Sequence, residues 1–300
     1  MKQLLIFGTI LLLLAGCSTK DPAPIVHKFA STCDYYSLQQ ARCLDEDAFL
    51  QSITPYKVVF VGDHHDSMAA HKDVVALIDA LSVRGYRVAL ANEWFTPKEN
   101  ILLEQYAQGE LDKNTSKALG WKKRVGYDFN LSEPIFDAVI KHKGHLYGIN
   151  MSKAFKTLIS NQERDAMSTK QRIFYDHLDL NVTAHKQMLS PFFSHCHHHK
   201  KGESTEACQA RMYRVQVAWD TMMGEESAKL AAQLKEDEKL IVFVGAMHLE
   251  SKLGVNLRFA RKSAIPSITL LPLPRSSKVL EADLGSSDMV YLYTEETQEK

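Results

Sequence analysis

Two apolar runs in this chain end in the same pattern, in which a glycine is followed three residues later by a histidine. The run KVVFV (57–61) leads to His65, and the run KLIVFV (239–244) leads to His248. A continuous run of β-branched and large apolar residues is typical of a strand buried on both faces, as in a parallel α/β sheet. In such sheets the ligand crevice lies outside the carboxyl ends of the strands. We therefore predict that the two histidines share one site.

Two further strand-like segments also end in polar residues. The segment YRVALA (86–91) is followed by Asn92 and Glu93, and HLYGI (145–149) is followed by Asn150. The predicted strand-end pocket consists of His64, His65, Asn92, Glu93, Asn150 and His248. A capping histidine after a strand is the alternative for any one motif, because short motifs are weak on their own. The repetition of the motif, with an acidic residue at a third strand end, favours a functional site.

The segments between these runs have helical spacing. Apolar residues recur at helical intervals over 67–84, and a capping-box pattern begins at Thr96 with proline at the next position. A further helix is expected over about 132–143, and the run SITLL (267–271) adds another strand. This alternation predicts an α/β fold, in which a mostly parallel sheet of about five strands is flanked by helices.

Residues 151–237 interrupt the alternation of strands and helices. They lack convincing strand signals and are expected to form successive helices, including one over 204–235. Because this segment begins after Asn150 and ends before the next strand, it should cover the edge of the sheet where the predicted strand-end residues converge. We therefore predict a smaller all-helical lid domain (151–237), inserted into a parallel α/β domain of residues 51–150 and 238–300.

The N-terminal residues have the pattern of a bacterial lipoprotein signal peptide. A lysine at position 2 precedes an apolar core that is too short for a typical membrane span, and the sequence LAGC ends at Cys17. The signal peptide is predicted to be residues 1–17, with Cys17 acylated and residues 18–50 forming a tether and N-terminal segment. A plain cleaved secretory peptide is the alternative. Serine after the cysteine resembles outer-membrane sorting, so the expected location is the bacterial outer membrane, lipid-anchored and facing the periplasm, with the inner membrane as the alternative.

The five cysteines fit an oxidising compartment, because acylation of Cys17 leaves an even number. Local loops close most easily, so we predict the bridges Cys33 to Cys43 and Cys196 to Cys208. Zinc binding is the alternative for the second pair, because histidines flank Cys196. That histidine run is interpreted either as a solvated loop tied by the bridge or as a metal site.

The charge balance excludes one class of partner. Lys plus Arg equals Asp plus Glu at 36 each. A chain with no surplus of positive charge has no overall attraction to a polyanion, so we expect no nucleic-acid partner.

The order of the motifs resembles the ChaN family of bacterial haem-binding lipoproteins. The resemblance rests on the paired strand-end histidines, the acidic residue after an intermediate strand, and QVAWDTMM at 216–223, and it covers about residues 50–275. The family is related to a wider group that contains erythromycin esterases and the Tiki and TraB proteases. The resemblance implies a parallel sheet with a small helical domain, ferric haem held by a tyrosine, propionates met by a histidine and a lysine, and a haem-coupled dimer. Many relatives carry a tyrosine where this chain has LSE at 131–133.

A tyrosine suits ferric haem, because a phenolate is a hard anionic donor that favours ferric over ferrous iron. The candidate iron ligands are Tyr127, in the loop-like stretch 121–127, and Tyr213, in the predicted lid. The candidates for haem propionates are Lys122, Lys123, Arg124 and His198. An ordinary loop aromatic is the alternative for Tyr127, and the methionines of the lid are interpreted as helix core.

These features lead to three functional hypotheses. The first is a membrane-tethered carrier in haem and iron uptake, which binds ferric haem as a homodimer and is served by an outer-membrane haem receptor. The second is a metal-dependent hydrolase, in which His65, Glu93 and His248 hold a divalent ion with an open water position. The third, an esterase with either histidine as general base, lacks a GxSxG nucleophile elbow. The tether and the motif order favour the carrier, so we predict that the strand-end group holds loops and turns over neither esters nor peptides.

Overall fold

The computed structural model of the chain describes residues 26–27, 29, 32–111, 115–194, 196, 200–277, 279–280 and 285–295. The predicted signal peptide (1–17) and residues 18–25, 28, 30 and 31 of the predicted tether and N-terminal segment lie outside these ranges. The described strands are β1 (Val26–His27), β2 (Tyr35–Ser37), β3 (Arg42–Leu44), β4 (Val58–Asp63), β5 (Arg87–Asn92), β6 (His145–Gly148), β7 (Glu238–Gly245), β8 (Ser267–Pro274), β9 (Val279–Leu280) and β10 (Met289–Tyr293).

Eight of the described strands form one sheet, in the order β3, β2, β10, β8, β4, β7, β5, β6. Every neighbouring pair from β10 to β6 is parallel, whereas β2 runs antiparallel to both β10 and β3. The remaining two strands, β1 and β9, form a separate antiparallel pair. The predicted α/β fold with a mostly parallel sheet is confirmed.

The sheet is wider than the predicted five strands, because β2, β3 and β10 extend one side of it. The strands β2 and β3 have only three residues each, which is too short for a periodic pattern to be detected. A disulfide between Cys33 and Cys43, with 5.6 Å between the Cα atoms, ties this edge together. The segment before residue 50 therefore forms part of the sheet and not only a tether.

The central strands are buried on both faces, as their apolar runs predict. Val58, Val59, Phe60 and Val61 of β4 are at most 1% exposed. In the parallel register Asp63 of β4 pairs with Gly245 of β7. The strands β4, β5 and β7 are neighbours that end at one edge, so the residues just after them come together there.

Helices cover both faces of the sheet. The described α-helices are α1 (Glu46–Ile53), α2 (Met68–Val83), α3 (Asn100–Ala107), α4 (Thr115–Ala118), α5 (Trp121–Arg124), α6 (Phe129–Lys141), α7 (Lys153–Asn161), α8 (Thr169–Asp176), α9 (Thr183–Phe193), α10 (Thr205–Ala231) and α11 (Val255–Ala260). Helices α1, α2, α3 and α6 pack into one core with the sheet, and α11 with the second half of α10 packs into the other.

Local sequence signals set the helix ends. The Ser67 hydroxyl caps α2 by accepting a hydrogen bond from the Ala70 amide, and Gly85 follows the helix with a φ of +86°. The predicted capping box is present, since Thr96 and Glu99 each accept a bond from the backbone of the other. Their short 3-10 turn, Pro97–Glu99, leads directly into α3.

Residues 151–237 contain helices α7 to α10 and no strand within their described part. These helices share small apolar clusters of their own, one around Phe155 and Ile159 and another around Leu189 and Phe193. A disulfide between Cys196 and Cys208 joins the end of α9 to the first turn of α10, so both predicted bridges are confirmed.

Helix α10 reaches beyond this helical segment. Val215 and Ala218, in its first half, pack among the other helices, whereas Met223 and Ala228 pack against the sheet. Gly224 allows the close approach of α11, because a Cβ atom there would lie 2.7 Å from Cβ of Arg258. Within the described residues, no helix combines the length and apolarity needed to cross a bilayer.

Candidate functional site

His65 is held by an aspartate at the end of β4. Its Nδ1 atom donates to Oδ2 of Asp63 at 2.5 Å, and Oδ1 of the same carboxylate lies 2.7 Å from Nε2 of His71. Asp63 and His71 are both buried. Burial opposes the charged form of His65, but the hydrogen bond to Asp63 and the nearby Glu93 carboxylate together raise its pKa to about 9.

Glu93 lies between two imidazoles. Its Oε1 atom is 3.5 Å from Nε2 of His65 and accepts a hydrogen bond from the Gly245 amide at 2.7 Å. Its Oε2 atom is 3.5 Å from Nε2 of His248, whose Nδ1 atom lies 2.5 Å from Oδ1 of Asp220. Each imidazole thus has Nδ1 fixed by a buried aspartate and Nε2 facing the same glutamate.

The aspartate behind His248 belongs to a deeper buried cluster. Oδ2 of Asp220 is 3.3 Å from Nε2 of His185, and Nδ1 of His185 is 3.3 Å from the guanidinium of Arg258. Burial lowers the pKa of His248, but the Asp220 carboxylate outweighs it, so the pKa of His248 is raised. A continuous series of charged and titratable groups therefore extends from Arg258 on α11 through His185, Asp220 and His248 to Glu93 at the strand ends.

The remaining predicted strand-end residues have other contacts. The Asn150 side chain donates to the Glu93 carbonyl at 2.8 Å and so fixes the strand end that carries the carboxylate. The Asn92 side chain is fully buried and donates to the Tyr147 carbonyl of β6. His64 contacts the hydroxyl of Tyr293 at 2.8 Å. It makes no described hydrogen bond to the Glu93 group, which consists of His65, Glu93 and His248 with the supporting Asp63 and Asp220.

A cavity of about 730 Å³ lies beside the Glu93 group. Strand ends, the α5 region and the start of α7 all contribute to its wall. The residues that line it are His65, Glu93, Trp94, Thr96, Lys98, Glu99, Gly120, Lys123, Arg124, Val125, Asn150, Met151, Ser152, Lys153, Lys156 and Trp219. This volume is within the range of small-molecule sites, which is roughly 300–1,000 Å³.

The two candidate iron ligands differ in access to solvent. The side chain of Tyr127 is 43% exposed, and its ring centroid lies 5.4 Å from that of His65. Its hydroxyl makes no hydrogen bond to another described residue, whereas the Trp121 indole donates to its backbone carbonyl. Tyr213 is 5% exposed, and its hydroxyl donates to the Val182 carbonyl at 3.3 Å.

Of the eleven tyrosines, all of which the structure describes, Tyr127 has the one exposed side chain. The others are buried or half-buried among helices and strands. Access to a ligand as large as a porphyrin therefore distinguishes Tyr127 from every other tyrosine of the chain, Tyr213 included.

The predicted propionate residues also differ. Arg124 pairs with Glu99 at 2.8 Å, donates to the Leu119 carbonyl, and stacks over the Phe95 ring at 4.5 Å. Its donors are thus directed at the protein itself, which argues against a propionate role. Lys122 is exposed, Lys123 lines the cavity, and His198 lies outside the described residues.

Several of these groups have the chemistry of metal ligands. One atom from each of Asp63, His65 and Glu93 lies within 4.8 Å of the others. The Nε2 atoms of His65 and His248, with Glu93 between them, form a second and more widely spaced set of possible metal-ligand atoms. Both histidines have carboxylate partners on Nδ1, and this is the usual support for a metal-binding imidazole.

A family model described as haem-binding uptake, Tiki superfamily, ChaN matches residues 49–259. This chain belongs to the ChaN family. The match agrees with the resemblance of the sequence motifs, and the family binds haem. In this member strands β4, β5, β6 and β7, the Glu93 group and the loop of Tyr127 lie within the matched residues, whereas β2, β3, β8 and β10 lie outside them.

A solved ChaN structure shares the fold of the chain. A ChaN protein of Campylobacter jejuni with cofacial haem binding is 18% identical, with a TM-score of 0.67 over 87% of this chain and 96% of that one. The type III effector HopBA1 is 16% identical, with a TM-score of 0.45 over 83% and 93%. An erythromycin esterase mutant, EreC in its open conformation, is 12% identical, with a TM-score of 0.46 over 80% and 77%. None of the curated proteins matches the chain.

Proposed function

We propose that this chain is a haem carrier, tethered to the membrane, which holds ferric haem through the phenolate of Tyr127. The observation that carries the proposal is the exposure of this one tyrosine and its free hydroxyl. A phenolate is a hard anionic ligand that favours ferric iron, and a carrier of oxidised haem needs such a ligand. When bound, the haem would supply the iron centre that is carried, and the protein supplies the anchor and the surrounding surface.

The surroundings of Tyr127 fit a porphyrin with two carboxylates. Lys122 and Lys123 lie on α5, five and four residues before Tyr127, and are both exposed, so their ammonium groups could reach propionates. Val125 provides apolar surface beside the same loop. His198 stays a sequence-based candidate for the same role.

The proposal includes a dimer that forms around haem. A single tyrosine leaves the other face of the porphyrin open, and an apolar face left in water is costly, so burial against a second copy is favourable. Cofacial haem binding in the Campylobacter jejuni relative supports this arrangement. Because only the dimer buries the haem, association should depend on haem concentration by mass action.

The location of the carrier is proposed from the sequence. Acylation of Cys17 would tether the soluble body to the outer membrane, where an outer-membrane receptor could deliver haem to it. The exposed position of Tyr127 supports such transfer, because haem can be passed on without unfolding the core.

Hemin titration of three proteins tests the proposal. Wild type and Tyr213→Phe should both develop the high-spin spectrum of a tyrosinate complex, and Tyr127→Phe should not. Sedimentation velocity should show a monomer without hemin and a dimer with it. A wild-type spectrum in Tyr127→Phe would contradict the ligand, and a hemin-loaded monomer would contradict the dimer.

A second candidate function is a metal-dependent hydrolase at the Glu93 group. It is favoured by the two imidazoles that face Glu93, each fixed through Nδ1 by a buried aspartate. His65, Glu93 and His248 would hold a divalent ion that lowers the pKa of a bound water. Metal analysis of the purified chain, with Glu93→Gln as the control, tests this: one equivalent of metal that is lost in the variant would support the hydrolase.

A further inference from the structure

The cavity does not include the proposed iron ligand. His65 and Glu93 line it, whereas Tyr127, which touches the ring of His65, is not among the lining residues. A haem bound over the exposed face of Tyr127, with Lys123 and Val125 beside it, would border the cavity of about 730 Å³ and leave the part around Lys156 and Trp219 open to another molecule. The proposed carrier function does not use this part of the cavity.

The lining of the cavity has a surplus of positive charge. Its charged cations are Lys98, Lys123, Arg124, Lys153 and Lys156, against the two carboxylates Glu93 and Glu99. Both carboxylates are already engaged, Glu99 by Arg124 and Glu93 by its two histidines and a backbone amide. The four lysines form no ion pair with any described carboxylate. A negatively charged ligand would supply the counter-charge that these lysines lack.

Aromatic side chains stand beside the lysines. Trp94 and Trp219 line the cavity, and Nζ of Lys156 lies 5.9 Å from the ring centroid of Trp219. A flat apolar group could stack on such an indole while its carboxylate meets the neighbouring ammonium group.

We infer that the part of this cavity around Lys153, Lys156 and Trp219 is a second binding site, which takes a small organic anion with an aromatic body and is distinct from the haem surface at Tyr127 and Lys123. Lys153 and Lys156, both near the start of α7, would hold the anionic group, and Trp219 would hold the ring. The site requires neither haem at Tyr127 nor a metal at Glu93.

Calorimetric titration of the full chain with naphthoate and with its neutral amide, naphthamide, tests the class of ligand. Naphthoate should bind, and naphthamide should bind about tenfold more weakly, which is the loss expected when a charge-assisted hydrogen bond is replaced by a neutral one. Equal affinities, or no binding of naphthoate, would overturn the inference. The same titration on hemin-loaded protein should give an unchanged naphthoate affinity, and competition by hemin would assign the cavity to haem instead.

Substitutions test the position of the site. Lys156→Gln should weaken naphthoate binding by about tenfold, whereas Lys156→Arg, which keeps the charge, should restore most of the affinity. Lys170→Gln, at an exposed lysine of α8 outside the cavity, is the matched control and should bind as wild type. If the two glutamine variants bind alike, the anion does not lie beside Lys156 and the inference fails.

Discussion

Nδ1 of His248 lies 2.5 Å from Oδ1 of Asp220, and this contact joins the end of β7 to the middle of α10. The same arrangement holds His65, whose aspartate comes from the end of β4. The two imidazoles that face Glu93 therefore depend on different supports, one within the sheet and one on a helix. The geometry of the Glu93 group follows from how α10 packs.

Asp220→Asn should destabilise the fold, because it removes the negative charge from a fully buried cluster that contains His248 and Arg258. Breaking a buried pair costs roughly 3–5 kcal/mol in the free energy of unfolding. Urea denaturation followed by circular dichroism measures this. Asp176→Asn, which breaks the exposed pair with Arg164, is the control and should change stability little. Equal midpoints for both variants would contradict the prediction.

Asp73 should give a pH-dependent difference in stability. Burial, together with the Asp34 carboxylate and against the opposing Arg275, raises the pKa of Asp73 to about 6. A carboxyl with a raised pKa stabilises the fold while protonated, so its contribution is full below the ordinary value and is lost as the pH rises through about 6. Asp73→Asn should therefore raise the free energy of unfolding at neutral pH by roughly 1 kcal/mol, after allowance for solvent screening.

The test of Asp73 is urea denaturation at neutral and at acidic pH. The advantage of Asp73→Asn over wild type should disappear in acid, where the wild-type carboxyl is protonated in both states. Asp165→Asn, at an exposed aspartate, is the matched variant and should show no gain at neutral pH. An advantage of Asp73→Asn that is independent of pH would point to a cause other than titration.

The pair of Arg124 and Glu99 should control haem binding by positioning Tyr127. Arg124 fixes the loop to Glu99, and Trp121 fixes the Tyr127 carbonyl. Arg124→Gln should therefore release hemin about tenfold faster, as expected from the loss of one charge-assisted pair, with the tyrosinate spectrum retained. Stopped-flow transfer of hemin to excess apomyoglobin measures the rate.

Glu99→Gln should show the same loss, and the double variant should lose no more than either single one, because both substitutions remove one interaction. Lys117→Gln, at an exposed lysine of α4 that has no proposed role in haem binding, should release hemin as wild type does and so separates positioning from general charge. Additive effects of Arg124→Gln and Glu99→Gln would mean that the two residues act independently.

Cys17→Ala should leave the membrane fraction, because the sequence that ends at this cysteine predicts acylation. Detergent partitioning of cell envelopes, with immunodetection of the chain, measures the distribution. Cys33→Ala, which removes a disulfide cysteine but not the predicted acyl site, should stay membrane-bound. Retention of the Cys17→Ala protein in the membrane would contradict the lipoprotein prediction.

The parallel sheet could be predicted from the sequence because its central strands are continuous apolar runs. The runs after Tyr56, Gly85 and Lys239 fixed the strand ends to within a residue or two, and the capping signals fixed the helices between them. The edge strands β2 and β3 have no such signal, since their pairing is set by partners far along the chain and by a disulfide.

The site was predicted less completely. His65, Glu93 and His248 follow strands, so their convergence could be inferred, but the aspartates behind the two histidines could not. Asp220 lies on a helix, within the motif QVAWDTMM, but this motif does not show that the side chain reaches a strand end. Asp63 directly precedes the two histidines in the sequence. Whether its carboxylate contacts His65, two residues later, depends on backbone geometry that a sequence pattern does not reveal. His185 and Arg258, which extend the cluster, carry no sequence signal at all.

Helix α10 runs for 27 residues without interruption, from the helical segment to the face of the sheet. At 1.5 Å per residue, the helix is roughly 40 Å long. The helical segment 151–237 therefore cannot swing open about a hinge, because any tilt of the outer end of α10 would displace Met223 and Ala228 from the core beneath. Entry of a molecule into the cavity therefore involves no swing of the helical segment, and the motions that accompany entry are those of side chains and of the loop around Tyr127.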